Sequence, residues 1–374
     1  MKILEQGILH AGRSVTIHAL KGTVSFQEID TLGQYKNTTL DSRTMKLPYL
    51  DSSNNLQELT KYKDLFPHYK DDYDKILMPS IIDGATPIGS MGNTARPAFL
   101  SELDRSLFDY FFQDFSQVTN PPLDYLREGI VTNMNVYLGR KPNIFEPKEL
   151  IPPSIAFELP SPILSLGQLE YITSKNDENS SLGVNAKVFD ILFDPKLDNN
   201  NSFNKCLSKL TDDIISSVKN GINIIVLSDR QTNENKLPIP SLIALRAVQL
   251  ELNRTGRRLR VSIIVDTGDV LNAHQGACLV AFGASAVCPY LALSVSREVK
   301  IENLGNSEKE QKLIGALNSG VKKIMAKKGV SVIRSYQGSE LLTPFSLGGD
   351  IIQKYFPGHR SIIKGKDEAF IINN

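Results

Sequence analysis

The sequence predicts an α/β protein: a parallel sheet built from βαβ units with flanking helices, plus a small N-terminal β element. Three observations predict it. From Lys187 onward, short β-branched runs alternate with helical stretches, the pattern of parallel strands joined by right-handed crossovers. The run at 222–227 is apolar at nearly every position, as suits a strand buried on both faces. Near the start, Ile8, His10, Val15, Ile17, Ala19 and Val24 alternate in part with polar residues, and Gly22 separates two strand candidates.

The elements follow in order. The strand candidates around Gly22 predict a hairpin or sheet edge, which must pack on something to cover its free edge. Residues 30–74 are polar, with one or two short helices; the Asp51–Asn55 cluster is a candidate cap for a helix over 56–66. A helix or turn over 74–82 leads into a small-residue loop, Gly89-Ser90-Met91-Gly92-Asn93. An aromatic-rich stretch at 103–115 has Leu103, Leu107, Tyr110 or Phe111, and Phe115 at helical spacing, and predicts a helix with a core-facing stripe. Pro121 and Pro122 stop it, and a second helix is expected over 123–138, closed by Gly139. The proline-rich stretch 142–162 reads as an extended connector.

The βαβ region comes next. Strands are predicted at 188–193, 222–227, 259–265 and 285–291, with helices at 203–218, 240–252 and 270–282 between them. A basic helix at 316–328 carries Lys322, Lys323, Lys327 and Lys328, read as a solvated face rather than a phosphate patch. A late strand is expected at 330–334, followed by a loop from Ser335.

Composition excludes several functions. The 374 residues leave room for roughly two to three domains. A net charge of +1 gives no global field for nucleic acid or a membrane surface. No apolar run is long enough to span a bilayer, and 1–14 lacks the apolar core of a signal peptide, so a cytoplasmic location is expected. Cys206, Cys278 and Cys288 match no zinc or iron–sulfur spacing and are expected as free thiols. No histidine pair has metal-ligand spacing; His274, inside a helix, reads as a hydrogen-bonded packing residue. No nucleophile elbow, phosphate loop or dinucleotide fingerprint is present.

Ligands of parallel α/β sheets meet the loops beyond the carboxyl ends of the strands. That rule selects Ser228, Asp229 and Arg230 after the second strand, Asp266 and Thr267 after the third, Tyr290 after the fourth, and Ser335 and Tyr336 after the late strand. Asp266 or Asp269 could instead cap the following helix, and both readings stand at this point.

Several long motifs carry a family resemblance. PIGSMGN at 87–93, FDYFFQDFSQVTNPPLDYLREGIV at 108–131, LPSPIL at 159–164, IIVLSDR at 224–230, PIPSLIALRAV at 238–248, VSIIVDTGDVLNAHQGACLVAFGASAVCPYLA at 261–292 and GVKKIMAKKGVSVIRSYQGSEL at 320–341 resemble the central domain of glutamate synthase, in the family's order. Residues 3–30 resemble the last strands of the family's glutamine amidotransferase domain. The resemblance implies four parts: a β remnant at 1–30, a polar connecting segment at 31–81, the central α/β domain at 82–348 and a C-terminal tail at 349–374.

The family makes glutamate from glutamine and 2-oxoglutarate. An amidotransferase releases ammonia, which travels to a flavin-bearing barrel, and the central domain joins the two. The resemblance therefore implies a connector that helps form the ammonia route, with the amidotransferase and FMN-binding parts as partners. Gly89, Ser90, Met91, Gly92, Asn93, Gln117, Thr119 and Asn120 become candidates for tunnel or interdomain contacts. No catalytic residue is implied here, and FMN and a [3Fe–4S] cluster are expected only in the partner domain, so the chain is not expected to act alone. The sequence departs from the family at Asp266-Thr267 (usually Glu-Thr), at His274-Gln275 (usually His-His) and at Arg96, in a loop that is usually acidic. A stand-alone metabolite-binding protein and a truncated, non-functional fragment are the alternatives.

Overall fold

The computed structural model describes residues 13–18, 23–28, 44–52, 59–87, 96–103, 105–115, 121–141, 156–174, 183–195 and 199–373. They belong to two units, Met1–Arg43 with Asn143–Ser154, and Thr44–Pro142 with Ile155–Asn374. In the first unit, β1 (Arg13–His18) and β2 (Thr23–Glu28) pair antiparallel, with Arg13 opposite Glu28 and His18 opposite Thr23. The hairpin expected around Gly22 is present, and its second strand runs past Val24.

The second unit opens with β3 (Thr44–Lys46). Of the helix expected at 56–66, residues 56–58 lie outside the described residues, Leu59 and Thr60 are helical, and a 3₁₀ turn follows at Lys63–Leu65. A helical run then passes from Lys70 through a π turn at Tyr73–Leu77 into α1 (Met78–Asp83), and Gly84 closes it in the left-handed conformation at φ 64°. The stretch 103–115 is not the predicted helix. A 3₁₀ turn at Leu107–Tyr110 leads into a two-residue strand, β4 (Phe111–Phe112). Leu107, Phe108, Tyr110 and Phe111 are buried, whereas Leu103 is 57% and Phe115 37% exposed. Four buried residues in five consecutive positions do not lie on one helical stripe, and aromatic side chains lose rotamer freedom in a helix.

The predicted second helix also splits. α2 (Tyr125–Val131) is capped by Asp124, whose carboxylate accepts from the N–H groups of Leu126 and Arg127. The chain then extends into β5 (Val136–Leu138), which pairs antiparallel with β6 (Ala156–Leu159); β6 pairs parallel with β3. Val136 and Leu138 are buried with Tyr137 less so between them, the two-residue period of a strand. α3 (Leu166–Thr173) follows, with a capping box between Ser165 and Gln168.

The main sheet comes from alternating strands and helices: β7 (Ala186–Asp190), β8 (Leu192–Phe193), α4 (Asn199–Lys219), β9 (Ile224–Ser228), β10 (Leu237–Pro238), α5 (Ser241–Arg254), β11 (Ser262–Asp266), α6 (Ala273–Ala281) and β12 (Ala286–Cys288). β8 and β10 form a small antiparallel pair. The other four strands make one parallel sheet in the order β12-β11-β9-β7. Each strand lies beside its predecessor, so right-handed crossovers place α4, α5 and α6 on one face. β9, β11 and β12 are buried at every position, as their β-branched runs require. The predicted α/β parallel sheet with flanking helices is the observed architecture.

The remaining elements are α7 (Tyr290–Glu298), α8 (Asn306–Lys327), α9 (Ile333–Tyr336), β13 (Thr343–Pro344), α10 (Gly349–Tyr355) and α11 (Glu368–Asn373). α7 takes over the end of the strand predicted at 285–291. The late strand predicted at 330–334 reduces to one bridge between Val332 and Asn133, and α9 begins at the next residue. β13 pairs with β4, so the aromatic stretch is tied down from near the other end of the chain. Ile351, Ile352, Tyr355 and Phe356, around α10, belong to the core. Gly320 lets α8 approach α6: a Cβ there would lie 2.3 Å from that of Ala273. Among the described residues, no helix is long and apolar enough to cross a membrane.

Candidate functional site

Strand register builds the site. In the parallel sheet Asp266 at the end of β11 faces Ser228 of β9 on one side and Cys288 of β12 on the other. Three strand ends thus deliver their last residues to one place. Backbone bonds continue past the strands, from Asp229 N–H to the Asp266 carbonyl (3.2 Å) and from Thr267 N–H to the Cys288 carbonyl (3.0 Å).

The side chains there form two coupled sets. Arg230 grips Asp266 with both arms of its fork, Nε to Oδ2 at 2.7 Å and Nη2 to Oδ1 at 3.0 Å, and the Ser228 hydroxyl donates to Oδ2 at 2.8 Å. Among the described residues no cation touches Asp229. It accepts from the Thr267 hydroxyl at 2.5 Å and from the Gly268 N–H at 3.0 Å. Asp229 is fully buried, and burial, with the charge of Asp269, pushes its carboxyl well above the usual range against the pull of the Thr267 bond. Tyr290 opens α7 under the Arg230 guanidinium, which stacks 5.1 Å from the ring centroid. Burial, then the Asp229 and Asp266 charges, raise the Tyr290 phenol. Burial also raises the Cys288 thiol.

The structure brings together Ser228, Asp229, Arg230, Asp266, Thr267 and Tyr290. It does not bring Ser335 and Tyr336 to the same place, because the strand that would have carried them is absent and both lie in α9. Ser335 is exposed; Tyr336 is buried near Cys278, and its hydroxyl has no partner. Neither Asp266 nor Asp269 caps α6. Asn272 does, accepting from Gln275 N–H at 3.0 Å within a capping box. Asp269 serves the neighbouring helix, accepting the first N–H of α5, that of Ser241, at 3.0 Å. Gly89, Ser90, Met91, Gly92, Asn93, Gln117, Thr119 and Asn120 lie outside the described residues.

His274 has the packing role expected of it. Its Nδ1 meets Gln113 Nε2 at 2.9 Å and its Nε2 meets the Phe108 carbonyl at 3.1 Å, which pins the aromatic stretch to α6. Arg96 pairs with Glu102 at 3.3 Å on the surface. The cysteines are free, as expected; Cys278 and Cys288 are buried and Cys206 partly so.

Sequence reasoning missed two arginines. Arg246 is buried between the rings of Phe282 and Phe356, at 5.3 and 5.6 Å, and bonds the Tyr355 carbonyl and Glu340. Its signal was legible: it sits four residues after Leu242 on the apolar stripe of α5. Arg105 lines a cavity of about 130 Å³ beside Asp269, and no pattern around it in the sequence marked it.

The family profile described as "Glutamate synthase central domain" matches residues 61–348. The large chain of an NADPH glutamate synthase from Bacillus subtilis (strain 168) is 35% identical over 312 residues, covering 83% of this chain and 20% of that one. A chloroplastic ferredoxin-dependent glutamate synthase from Oryza sativa subsp. japonica is 31% identical over 389 residues, covering 97% of this chain and 24% of that one. The chain thus spans a fifth to a quarter of the length of these curated relatives. Among solved structures, a flavocytochrome b2 variant aligns with a TM-score of 0.31 and 16% identity over 42% of this chain and 40% of that one, too distant to carry weight.

Proposed function

The chain belongs to the glutamate synthase central-domain family, and from that premise we propose that it is the connector of a glutamate synthase, docking to the amidotransferase and FMN-binding parts. One observation carries this reading. Leu126 and Ile130, four residues apart on α2, are 70% and 85% exposed, and Val131 beside them is also exposed. A helix that turns its large apolar residues to water is a surface made for a neighbour. The strand-mouth groups support the same reading, since Asp266, Arg230, Thr267 and Asp229 are occupied with one another and act as a clamp between strands.

Among the described residues no three His, Cys, Asp or Glu gather as metal ligands, and Cys278 and Cys288 are buried in separate surroundings, so they do not fit a [3Fe–4S] cluster. The cavity beside Asp269, about 130 Å³, is close to the size that holds a single benzene ring and does not fit a tricyclic flavin. The cofactors belong, in this proposal, to the partner part.

The ammonia route is part of the proposal. A groove of about 340 Å³ supports it, lined by Thr86, Pro87, Asn272, Ala273 and Gly320. Pro87 directly precedes residues 88–93 in the sequence. The Thr86 hydroxyl is buried with no partner, so it is free to bond a passing ammonia molecule. Lys323 and Lys327 also line the groove, and their charge disfavours ammonium over neutral ammonia.

The test supplies the family's amidotransferase and FMN-binding parts as separate chains. Co-elution with this chain is expected, and Leu126→Asp with Ile130→Asp should abolish it without changing the fold of the chain. Elution of every component alone, or unchanged association of the variant, would overturn the connector reading. In the reassembled enzyme, Thr86→Leu should let glutamine hydrolysis outrun 2-oxoglutarate consumption; an unchanged ratio removes the groove from the route.

A further inference from the structure

The cavity beside the strand mouth has a chemistry of its own. Its walls come from distant parts of one unit: Leu65 and Pro67, the 105–110 segment, the start of α5, Asp269, and the 370–372 turn of α11. Most of the lining is apolar, Phe108, Phe193, Leu237 and Leu242 among it. Three charged side chains reach it: Arg105, Asp269 and Lys366.

Two of the three are already engaged. Asp269 accepts the Ser241 N–H at 3.0 Å, and Lys366 Nζ rests 3.8 Å from the centroid of the Phe370 ring. Arg105 is different. Its Nε is buried without a hydrogen-bond partner, and among the described residues no carboxylate lies within ion-pair distance of it. Asp109, four residues on, feels the charge of Arg105 more than that of any other group, without an ion pair between them. A buried donor left unsatisfied costs about 1–3 kcal/mol, and more when the group is charged.

We infer that this cavity is a binding site for a small monocarboxylate with a short apolar tail, its carboxylate held by the Arg105 guanidinium. The volume sets the size. A dry cavity of roughly 150 Å³ accepts benzene, so about 130 Å³ accepts a ligand of about six non-hydrogen atoms. The charge balance sets the class. One free guanidinium neutralises one negative charge, and its planar fork matches a carboxylate bidentately. Asp269 in the same wall repels a second negative charge, which selects against dicarboxylates and doubly charged phosphates. The apolar wall takes the tail. This inference concerns the chain by itself and stands or falls independently of docking to other parts.

Titration calorimetry on the full 374-residue chain tests it, with butyrate as the probe, butyramide as its neutral isostere and succinate as the dicarboxylate. Saturable butyrate binding is expected, with butyramide and succinate at least about tenfold weaker, the loss of one charge-assisted pair. Arg105→Met should weaken butyrate by at least about tenfold with the folded circular-dichroism spectrum retained. Leu237→Trp, which fills the cavity from a half-buried position, should abolish binding in a protein that still unfolds cooperatively. Equal binding of butyramide, butyrate affinity retained in Arg105→Met, or no saturation by butyrate would each overturn the assignment.

Discussion

Arg230 and Arg105 both lie by the loops that follow the parallel strands, yet they are in opposite states. Arg230 is saturated: two bonds to Asp266, a stacked Tyr290 and neighbours that bond one another. Arg105 borders a cavity with its Nε unbonded. The difference teaches that a polar cluster at a strand mouth is not by itself a ligand site. Where every donor already has its acceptor, a ligand gains little by entering. Where a guanidinium faces an apolar hollow, a ligand supplies what the protein lacks.

The largest effect should follow from breaking the saturated set. Asp266→Ala leaves Arg230 buried without its counter-charge and takes the acceptor from the Ser228 hydroxyl. Removing one partner of a buried pair costs about 3–5 kcal/mol. Urea unfolding followed by far-UV circular dichroism should show that loss, the chain having no Trp to report by fluorescence. A loss under about 1 kcal/mol would mean that solvent reaches Arg230 and that the site is open after all.

Next in size is a steric test of how closed that site is. A Cβ on Gly268 would sit 2.5 Å from Cζ of the Phe66 ring, and the Gly268 carbonyl accepts from His68 Nε2 at 2.8 Å. Gly268→Ala must push the ring away, at about 1–3 kcal/mol, the usual range for overpacking. Pairing it with Phe66→Leu should recover part of the loss if the ring is the obstacle. No recovery would place the strain elsewhere in the loop.

The same contrast explains which features were readable in the sequence. The strand-mouth residues Ser228, Asp229, Asp266 and Thr267 were found because parallel strands carry a strong local signal, and their register brings strand ends together without further information. The cavity was not found, because its walls run from Leu65 to Ile372 and no local pattern links them. The 103–115 stretch misled for a related reason. Leu103, Leu107, Phe111 and Phe115 keep helical spacing, but a strand pairing with Thr343–Pro344 decides its shape, and that partner lies more than two hundred residues away. Ser335 and Tyr336 were misplaced because Val330–Arg334 looks like a strand and has no neighbour to pair with beyond one bridge.

A subtler effect distinguishes the two acids of the saturated set. Asp266 is balanced by Arg230, but Asp229 has only neutral donors, and burial raises its carboxyl well above the ordinary 3.8. The fold therefore favours protonated Asp229. That stabilisation is complete below about pH 3.8 and declines as the pH rises toward the raised folded-state value. Asp229→Asn has no proton to lose and still offers an oxygen to Thr267 and Gly268. The wild-type melting temperature minus that of Asp229→Asn should therefore fall as the pH is raised from 4. A difference that grows with pH would show that Asp229 is held as the carboxylate, with a cation or water serving it.

The smallest expected effect is the one that separates the two arginines most sharply. Arg230→Met deletes both bonds to Asp266 and strands a buried carboxylate, so it belongs with the large losses. Among the described residues Arg105→Met deletes no hydrogen bond or ion pair, only the attraction of Arg105 for Asp109, and it adds apolar surface to a wall that is already apolar. Its cost should stay within about 0.5 kcal/mol, and relief of the unsatisfied Nε could bring a small gain. Salt gives the same contrast a second reading: screening should change the unfolding midpoints of the wild type and Arg105→Met nearly alike, since only the unpaired attraction of Arg105 for Asp109 is lost. If Arg105→Met instead unfolds the chain as readily as Arg230→Met, then Arg105 is holding the structure through a partner. The distinction between a saturated and an available guanidinium would then fail.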